Sequence, residues 1–578
     1  MSEYWLVVVD TTQIQAYIFG SNRLAENIGA SWLVKQATGA WALEAVKGVA
    51  PHHNIRDAQT GQLDDAVRIE NDGVDAEAIY AAGGNVLALF AAESMARGFI
   101  RTLSRKVLLE APGLQLLFAL EHFDWDAKPA QLFDTVQKAF QSLEVQKNTR
   151  PRDASLLGLG VTMACQSTGL PANAIHKYDG EEARPASAEI LAKMSSADAS
   201  HKNLRSTFQD AIGSEYDFPR EFDELGRSAG EQSYIAVVHA DGDGLGQRMI
   251  KIGRANKEDN RTYIDAVRGF SQAVARASEK AMKDTLDTLT RPAVIISDED
   301  DRHKERRSIV RHVQSERINV AARITLKCGG NRWYLPFRPL VYGGDDTTFV
   351  CDGRIGVALA VEYLTQFRHH AEIELSHTTS ASAGVAIVKS HYPFARAYDL
   401  AEELCKNAKR YRAQEKERTK AAQGSYLDWH FATSGLSGDI KEIREREYNT
   451  KHGRLCLRPL KLDVDAPEFI DRHTVRCWAV LQKALEEFQG EKWADRRNKV
   501  KALRDALRQG SDAVTRFCTM YDIDRLPELA LGDPAEYRKT GWIDGVGKEP
   551  ARCVYFDAIE LADFHIPLFQ PEPEKEEA

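Results

Sequence analysis

The stretch Leu335–Val350, "LPFRPLVYGGDDTTFV", decides how this chain is read. Strand-like runs flank two glycines, and two adjacent aspartates, Asp345 and Asp346, follow them. Glycine adopts φ > 0 without steric cost, so Gly343 and Gly344 mark the tip of a hairpin. Paired carboxylates beside such a tip repel each other unless a cation holds them. A second stretch, Tyr234–Met249, "YIAVVHADGDGLGQRM", supplies their partner. It is an apolar strand ending at Asp241, followed by a glycine-rich turn.

The order of elements around these stretches predicts the fold. After "YIAVVHAD" come a helix ("YIDAVRGFSQAVARASEKAMKDTL"), strands leading to "VYGGDDTTFVCD", a helix ("IGVALAVEYLTQFRHH"), a strand ("SASAGVAIVKS"), a helix ("FARAYDLAEELCKNAKRYR") and a strand ("SYLDWHF"). In a βαββαβ sheet of the ferredoxin type, the first strand lies beside the third. Asp241 is therefore expected next to the Gly343–Gly344 turn, and three carboxylates converge at one sheet edge.

The N-terminal half repeats this order. "YWLVVVD" ends at Asp10, a long helical pattern follows, and "YAAGGNVLALF" places Gly83 and Gly84 in a turn between strands. A helix, a strand, a helix and the strand-like "LLGLGVTMACQS" complete the repeat. The reading is an internal duplication. The expected fold class is α+β, with two ferredoxin-like domains in tandem (the palm domains of the resemblance given below) and a C-terminal helical domain. The expected divisions are residues 1–179, a degenerate first domain; 180–232, a partly helical linker; 233–435, the second domain with the GGDD site; 436–565, the helical domain; and 566–578, a disordered acidic tail. Ser297–Arg307, "SDEDDRHKERR", reads either as a solvated loop or as an RNA contact through Arg302, Lys304, Arg306 and Arg307.

Bulk properties narrow the function classes. The 578 residues suffice for roughly three or four domains, and 43% hydrophobic residues can bury substantial cores. A net charge of -9 does not describe a dedicated nucleic-acid binder, although local basic patches stay open. No run reaches the roughly 18 apolar residues of a membrane span, so no membrane partner is expected. The N-terminus reads as a strand, not a signal peptide. Eight scattered cysteines without a Cys-x-x-Cys pair point to a reducing cytoplasm and away from a zinc ribbon.

Hard oxygen donors on a small site suit Mg²⁺ or Mn²⁺, so Asp241, Asp345 and Asp346 are candidate catalytic residues and metal ligands. Two such ions activate a hydroxyl and stabilise a leaving oxygen, as nucleotidyl transfer with loss of pyrophosphate requires. Gly343 and Gly344 let a nucleotide approach the backbone. Gly242 belongs to "DGDGLG", which resembles a phosphate cradle at a helix start. Lys409 would lie on the helix after the fourth strand, within reach of a phosphate. The first half offers Asn85 and Val86 where the second has two aspartates. It is expected to be a wall whose retained Gly83 and Gly84 face the same cleft and admit a second nucleotide.

"GGDD" after "LPFRPLVY", with "VVHADGDGLG" upstream, resembles the second palm of the large polymerase-cyclase subunit of type III CRISPR effector complexes, the Cas-ten or Cmr-two family. "IQAYIFGSNRLAENIGAS" resembles that family's first palm, and "CQSTGLPA" the segment that closes it. The likeness spans roughly residues 4–432. It implies an enzyme joining ATP into cyclic oligoadenylate second messengers for antiviral defence. It also implies subunits of a guide-RNA complex or RNA as partners, and a downstream effector protein that senses the product. By motif position it carries Asp241, Asp345 and Asp346 over as metal ligands, Gly343 and Gly344 as the nucleotide turn and Lys409 as a phosphate contact. The chain contains no His-Asp dipeptide and no zinc-type cysteine cluster, so no DNA cleavage is expected. Two other readings stay open. One is a scaffold subunit that binds nucleotide or RNA without catalysis. The other is a diguanylate-cyclase-like enzyme, whose signature ends in Glu-Phe where this chain has Asp346 and Thr347.

Overall fold

The computed structural model describes residues 3–149, 160–178, 182–226, 233–300, 303–312, 320–419, 424–432, 438–462, 470–471, 473–494, 496–530, 536–545 and 550–568. Arg302 and residues 569–578 of the expected tail lie outside the described residues, whereas Ile566 and Leu568, placed in that tail, are buried in the core, so the ordered chain runs further than expected.

The first half is built on β1 (Glu3–Thr12), α1 (Leu24–Thr38), β2 (Ala76–Ala82), β3 (Asn85–Phe90), α2 (Glu93–Glu110), β4 (Gln115–Asp124) and α3 (Leu132–Thr149). The sheet order is β2-β3-β1-β4, so the first strand lies beside the third, as in a ferredoxin-like palm. β1 is apolar at consecutive positions because helices cover both faces. Leu6 and Val8 enter one core, and Val7 and Val9 another. The expected closing strand "LLGLGVTMACQS" does not form over its described residues 160–167. They make turns and one isolated bridge, Ala164 to Pro171. Helix α4 (Ala188–Thr207), in the expected linker, packs along α1. A Cβ at Gly29 would lie 1.7 Å from the Lys193 carbonyl oxygen, so only glycine permits this crossing.

The second half comprises β5 (Tyr234–Gly242), α5 (Leu245–Ala255), α6 (Asn260–Thr290), β6 (Phe337–Val341), β7 (Asp346–Asp352), α7 (Gly356–Leu375), β8 (Ala381–Lys389), α8 (Phe394–Thr419), β9 (Tyr426–Ala432) and the short β10 (Leu460–Lys461). Its sheet order is β6-β7-β5-β8-β9-β10. The first four strands repeat the order of the N-terminal sheet, and β9 joins β8 in parallel. Pro339 sits in β6, which is tolerated because β6 is the sheet edge. The C-terminal region carries α9 (Trp478–Gln489), α10 (Arg497–Gln509), α11 (Ser511–Met520) and α12 (Phe556–Ala562), with a small sheet of two-residue strands. It shares one continuous core with the second palm.

The charged stretch after Ser297 is a hairpin, not a solvated loop: Ile295–Glu299 pairs with Glu305–His312. Arg306 lies 2.8 Å from Asp298 and Arg307 2.7 Å from Glu215, so neighbouring acids already engage the arginines expected to meet RNA.

One buried charge network joins the halves. Glu77 on β2, fully buried, lies 2.7 Å from Arg261 and 2.6 Å from Arg268, both on α6. Burial alone would raise the Glu77 pKa, but the two guanidinium groups bring it below the usual carboxylate range. Removing one partner of such a network leaves uncompensated charge behind. Glu77→Ala should therefore destabilise the protein by about 3–5 kcal/mol, seen as a lower first unfolding transition. An unchanged transition would show that the network does not hold the halves together.

Candidate active site

Strand register brings the acids together. β5 pairs antiparallel with β7 so that Asp241 lies directly opposite Asp346 and His239 opposite Thr348. The Gly242 N–H donates to the Asp345 carbonyl at 3.1 Å, closing the ladder at the turn. A register shift between Pro339 and Val341 releases β6 from regular pairing just before Tyr342. In the turn that follows, only Gly343 has positive φ, at 87°; Gly344 does not. Side chains alternate along a strand, so His239, Asp241, Asp346 and Thr348 share one face. Helix α8 crosses that face. Tyr398 meets His239 edge-on with ring centroids 5.5 Å apart, and the Lys409 ammonium is ion-paired with Asp241.

A ring nitrogen of His239 and one carboxylate oxygen each of Asp241 and Asp346 lie within 4.8 Å of one another. Asp345, expected as a third ligand, falls outside this set. Its carboxylate accepts from its own N–H and that of Asp346, while the Asp241 charge still acts on it. Asp345 and Asp346 are exposed to solvent. The protein packed around the turn first, and then the neighbouring carboxylates, hold both above the usual range. Burial lowers Lys409 and Asp241 more than restores it, so the ammonium stays charged. It also donates to the Gly242 carbonyl at 3.2 Å. Burial holds His239 down to about 4, so its ring is neutral near pH 7. These carboxylates thus have the charge and spacing of a site that takes a cation, and an ammonium already leans on it.

The two aspartates of "DGD" differ in position. Asp243 is buried, accepts from Ser380 Oγ at 2.8 Å and Ser382 Oγ at 2.9 Å, and lies 3.3 Å from Arg412. It fixes the turn, where its partners leave no carboxylate free for a ligand. Gly244, at φ 72°, starts α5 with no side-chain cap, which leaves the first N–H groups of the helix open to an anion.

The first half has a different arrangement. Asp10 lies opposite Asn85, so Asn85 stands where Asp346 does. Val86 pairs with Val9 inside the core and is not a counterpart of either aspartate. The register thus corrects the alignment of Asn85 and Val86 with Asp345 and Asp346. The hairpin is tighter here: Ala82 pairs with Asn85, and Gly83 and Gly84 form its tip with φ of 63° and 83°. Lys147 binds Asp10 at 2.6 Å. The two glycine turns face each other, and a Cβ on Gly344 would sit 4.0 Å from Gly83 Cα.

Sequence reading missed His239 and Glu402. Alternation could have found the first, two residues before Asp241 on the same face. Nothing local marks Glu402, which bonds Gln15 of the first half at 3.1 Å and acts electrostatically on Asp346.

Comparison with protein families matches residues 234–419 to the family described as Cas10/Cmr2, second palm domain. A search of curated proteins found no match. Among solved structures, a Csm1-Csm4 cassette in complex with AMPPNP aligns with TM-score 0.49 and 12% identity over 97% of this chain and 70% of that one. An apo Csm1-Csm4 cassette aligns with TM-score 0.46 and 13% identity, again over 97% and 70%. Csm1 in T.onnurineus aligns with TM-score 0.44 and 12% identity over 98% and 70%. Residues 234–419, which hold the paired aspartates at the glycine turn, are thus similar to the second palm domain of the Cas10/Cmr2 family.

Proposed function

We propose that this protein is a metal-dependent nucleotidyltransferase that joins ATP into cyclic oligoadenylate second messengers. It would act in prokaryotic antiviral defence as a subunit of a type III CRISPR-type effector complex. A guide-RNA assembly and a downstream protein that senses the product are its partners. The observation that carries this reading is Asp241 facing Asp346 across β5 and β7 beside an open glycine turn. The second-palm family match supports it, and the choice of ATP rests on that family.

Asp241, Asp345 and Asp346 would hold Mg²⁺ or Mn²⁺, which, when bound, neutralises charge on the reacting phosphates and activates the attacking hydroxyl. The uncapped start of α5 and the Gly343 turn receive the triphosphate through backbone N–H groups. Lys409 offsets phosphate charge once it leaves Asp241. The 3′-oxygen of one nucleotide forms a bond to the α-phosphorus of the next, the α–β phosphate bond breaks, and pyrophosphate leaves. The Gly83–Gly84 turn forms a wall across from the donor, where an acceptor nucleotide can approach the backbone. Such positioning supplies much of the rate.

The direct test is incubation of the purified protein with each NTP and Mg²⁺ or Mn²⁺, followed by mass spectrometry. Cyclic adenylate products are expected. A guanylate dinucleotide would favour a diguanylate-cyclase-like enzyme, and no product under any activating RNA would favour a scaffold.

Asp345→Asn combined with Asp346→Asn should lower turnover by about a thousandfold or more, from several kcal/mol of lost charge stabilisation. The same change removes mutual repulsion, so the melting temperature should stay level or rise. A folded double variant with near-wild-type turnover would refute the site.

Asp10→Ala should cost far less turnover than Asp241→Ala, because Asp10 is already neutralised by Lys147 and faces an amide. Steady-state rates of both folded variants decide this, and equal losses would mean that both halves carry the chemistry.

A further inference from the structure

We propose that His239 is a nitrogen ligand of the ion held by Asp241 and Asp346, and that it shifts the preference of the site from Mg²⁺ toward first-row transition ions such as Mn²⁺. This assignment rests on the nucleotidyltransferase reading above.

His239 is only 4% exposed, inside a strand whose other inward positions are apolar. A histidine there costs desolvation unless its polar atoms are used. Nδ1 is 3.2 Å from Thr348 Oγ1, its cross-strand partner. Nε2 has no hydrogen-bond partner among the described residues. A metal-bound imidazole is commonly arranged this way, with one nitrogen oriented by a neighbouring oxygen and the other left to the ion. The edge-on Tyr398 ring further limits how the imidazole can turn.

The distances fit a site that closes slightly on loading. Donors around one ion at roughly 2.1 Å each lie at most about 4.2 Å apart. The three donor atoms lie within 4.8 Å of one another, and Lys409 is ion-paired with Asp241 beside them. A shift of at most about 0.6 Å would bring the donors within that limit. The donor set is then one imidazole and two carboxylates. Mg²⁺ favours oxygen donors and gives up its waters reluctantly. Imidazole suits transition ions better.

The full-length protein, free of nucleotide, is titrated with Mn²⁺ and followed by electron paramagnetic resonance, then displaced with Mg²⁺. The bound Mn²⁺ should show imidazole ¹⁴N coupling in pulsed spectra. His239→Ala should abolish that coupling and weaken Mn²⁺ binding about tenfold, with Mg²⁺ affinity changed by less than about twofold. His239→Asn serves if the alanine variant does not fold, and the ¹⁴N coupling of the wild type decides the question without any variant. Mn²⁺ binding that is lost in Asp346→Asn, unchanged in His239→Ala and free of ¹⁴N coupling would overturn the His239 assignment and leave the carboxylate site standing. No Mn²⁺ binding by the wild type would overturn both.

Discussion

The antiparallel pairing of β5 with β7 is the constraint on which the site depends. It sets Asp241 and Asp346 directly opposite, where like charges destabilise a sheet. The apolar residues of the same strands hold the register against that repulsion. Val237, Val238, Phe349 and Val350 are fully buried, and a one-residue slip would move each into the opposite core, where its size and shape do not match the packing. Hydrophobic burial therefore maintains an electrostatically unfavourable edge, and the Lys409 ammonium offsets part of it. A folded protein that concentrates negative charge at a solvent-open edge beside an uncapped helix start is prepared for a cation and an anion together.

The two halves share an architecture and differ in charge. In the second, facing acids are left largely to each other and one lysine. In the first, Asn85 replaces one acid and Lys147 answers Asp10. The first turn is also shorter, so Gly84 takes the place of Asp345 beside the strand end. There the Thr11 N–H and Oγ1 both donate to the Gly84 carbonyl, at 3.0 and 2.9 Å, as Gly242 donates to Asp345 in the second palm. The backbone geometry of the turn persists where its acids do not. The Glu77 network and the Gln15–Glu402 bond hold the halves in the relation that sets the turns face to face.

Much of this was legible in the sequence. Continuous apolar runs and helical patterns, together with two glycine pairs, located both palm sheets, because strands covered on both faces must be apolar and hairpin tips must turn. Strand order then followed from the ferredoxin-like topology, and with it the meeting of Asp241 and Asp346. What failed had local causes. "LLGLGVTMACQS" has strand composition but finds no sheet edge over its described residues. Ser297–Arg307 looks like a solvated run because its charges neutralise one another across a hairpin, a pairing invisible along the chain.

The sequence by itself determined which residues could carry chemistry: paired acids, glycine turns and a lysine one helix away, since those residue types follow from charge and backbone sterics. Only the tertiary structure decided how they divide the work. Asp243 is withdrawn from the site by two serines and an arginine brought from distant positions. His239 is added because β7 and α8 close around it, and its donor atom gathers with those of Asp241 and Asp346, while Asp345 stands outside that cluster. The physical reason is that a carboxylate or imidazole acquires its role from what lies within about 5 Å of it, where Coulomb energies are large enough to choose a partner. That neighbourhood is set by strand register and helix packing, not by position along the chain.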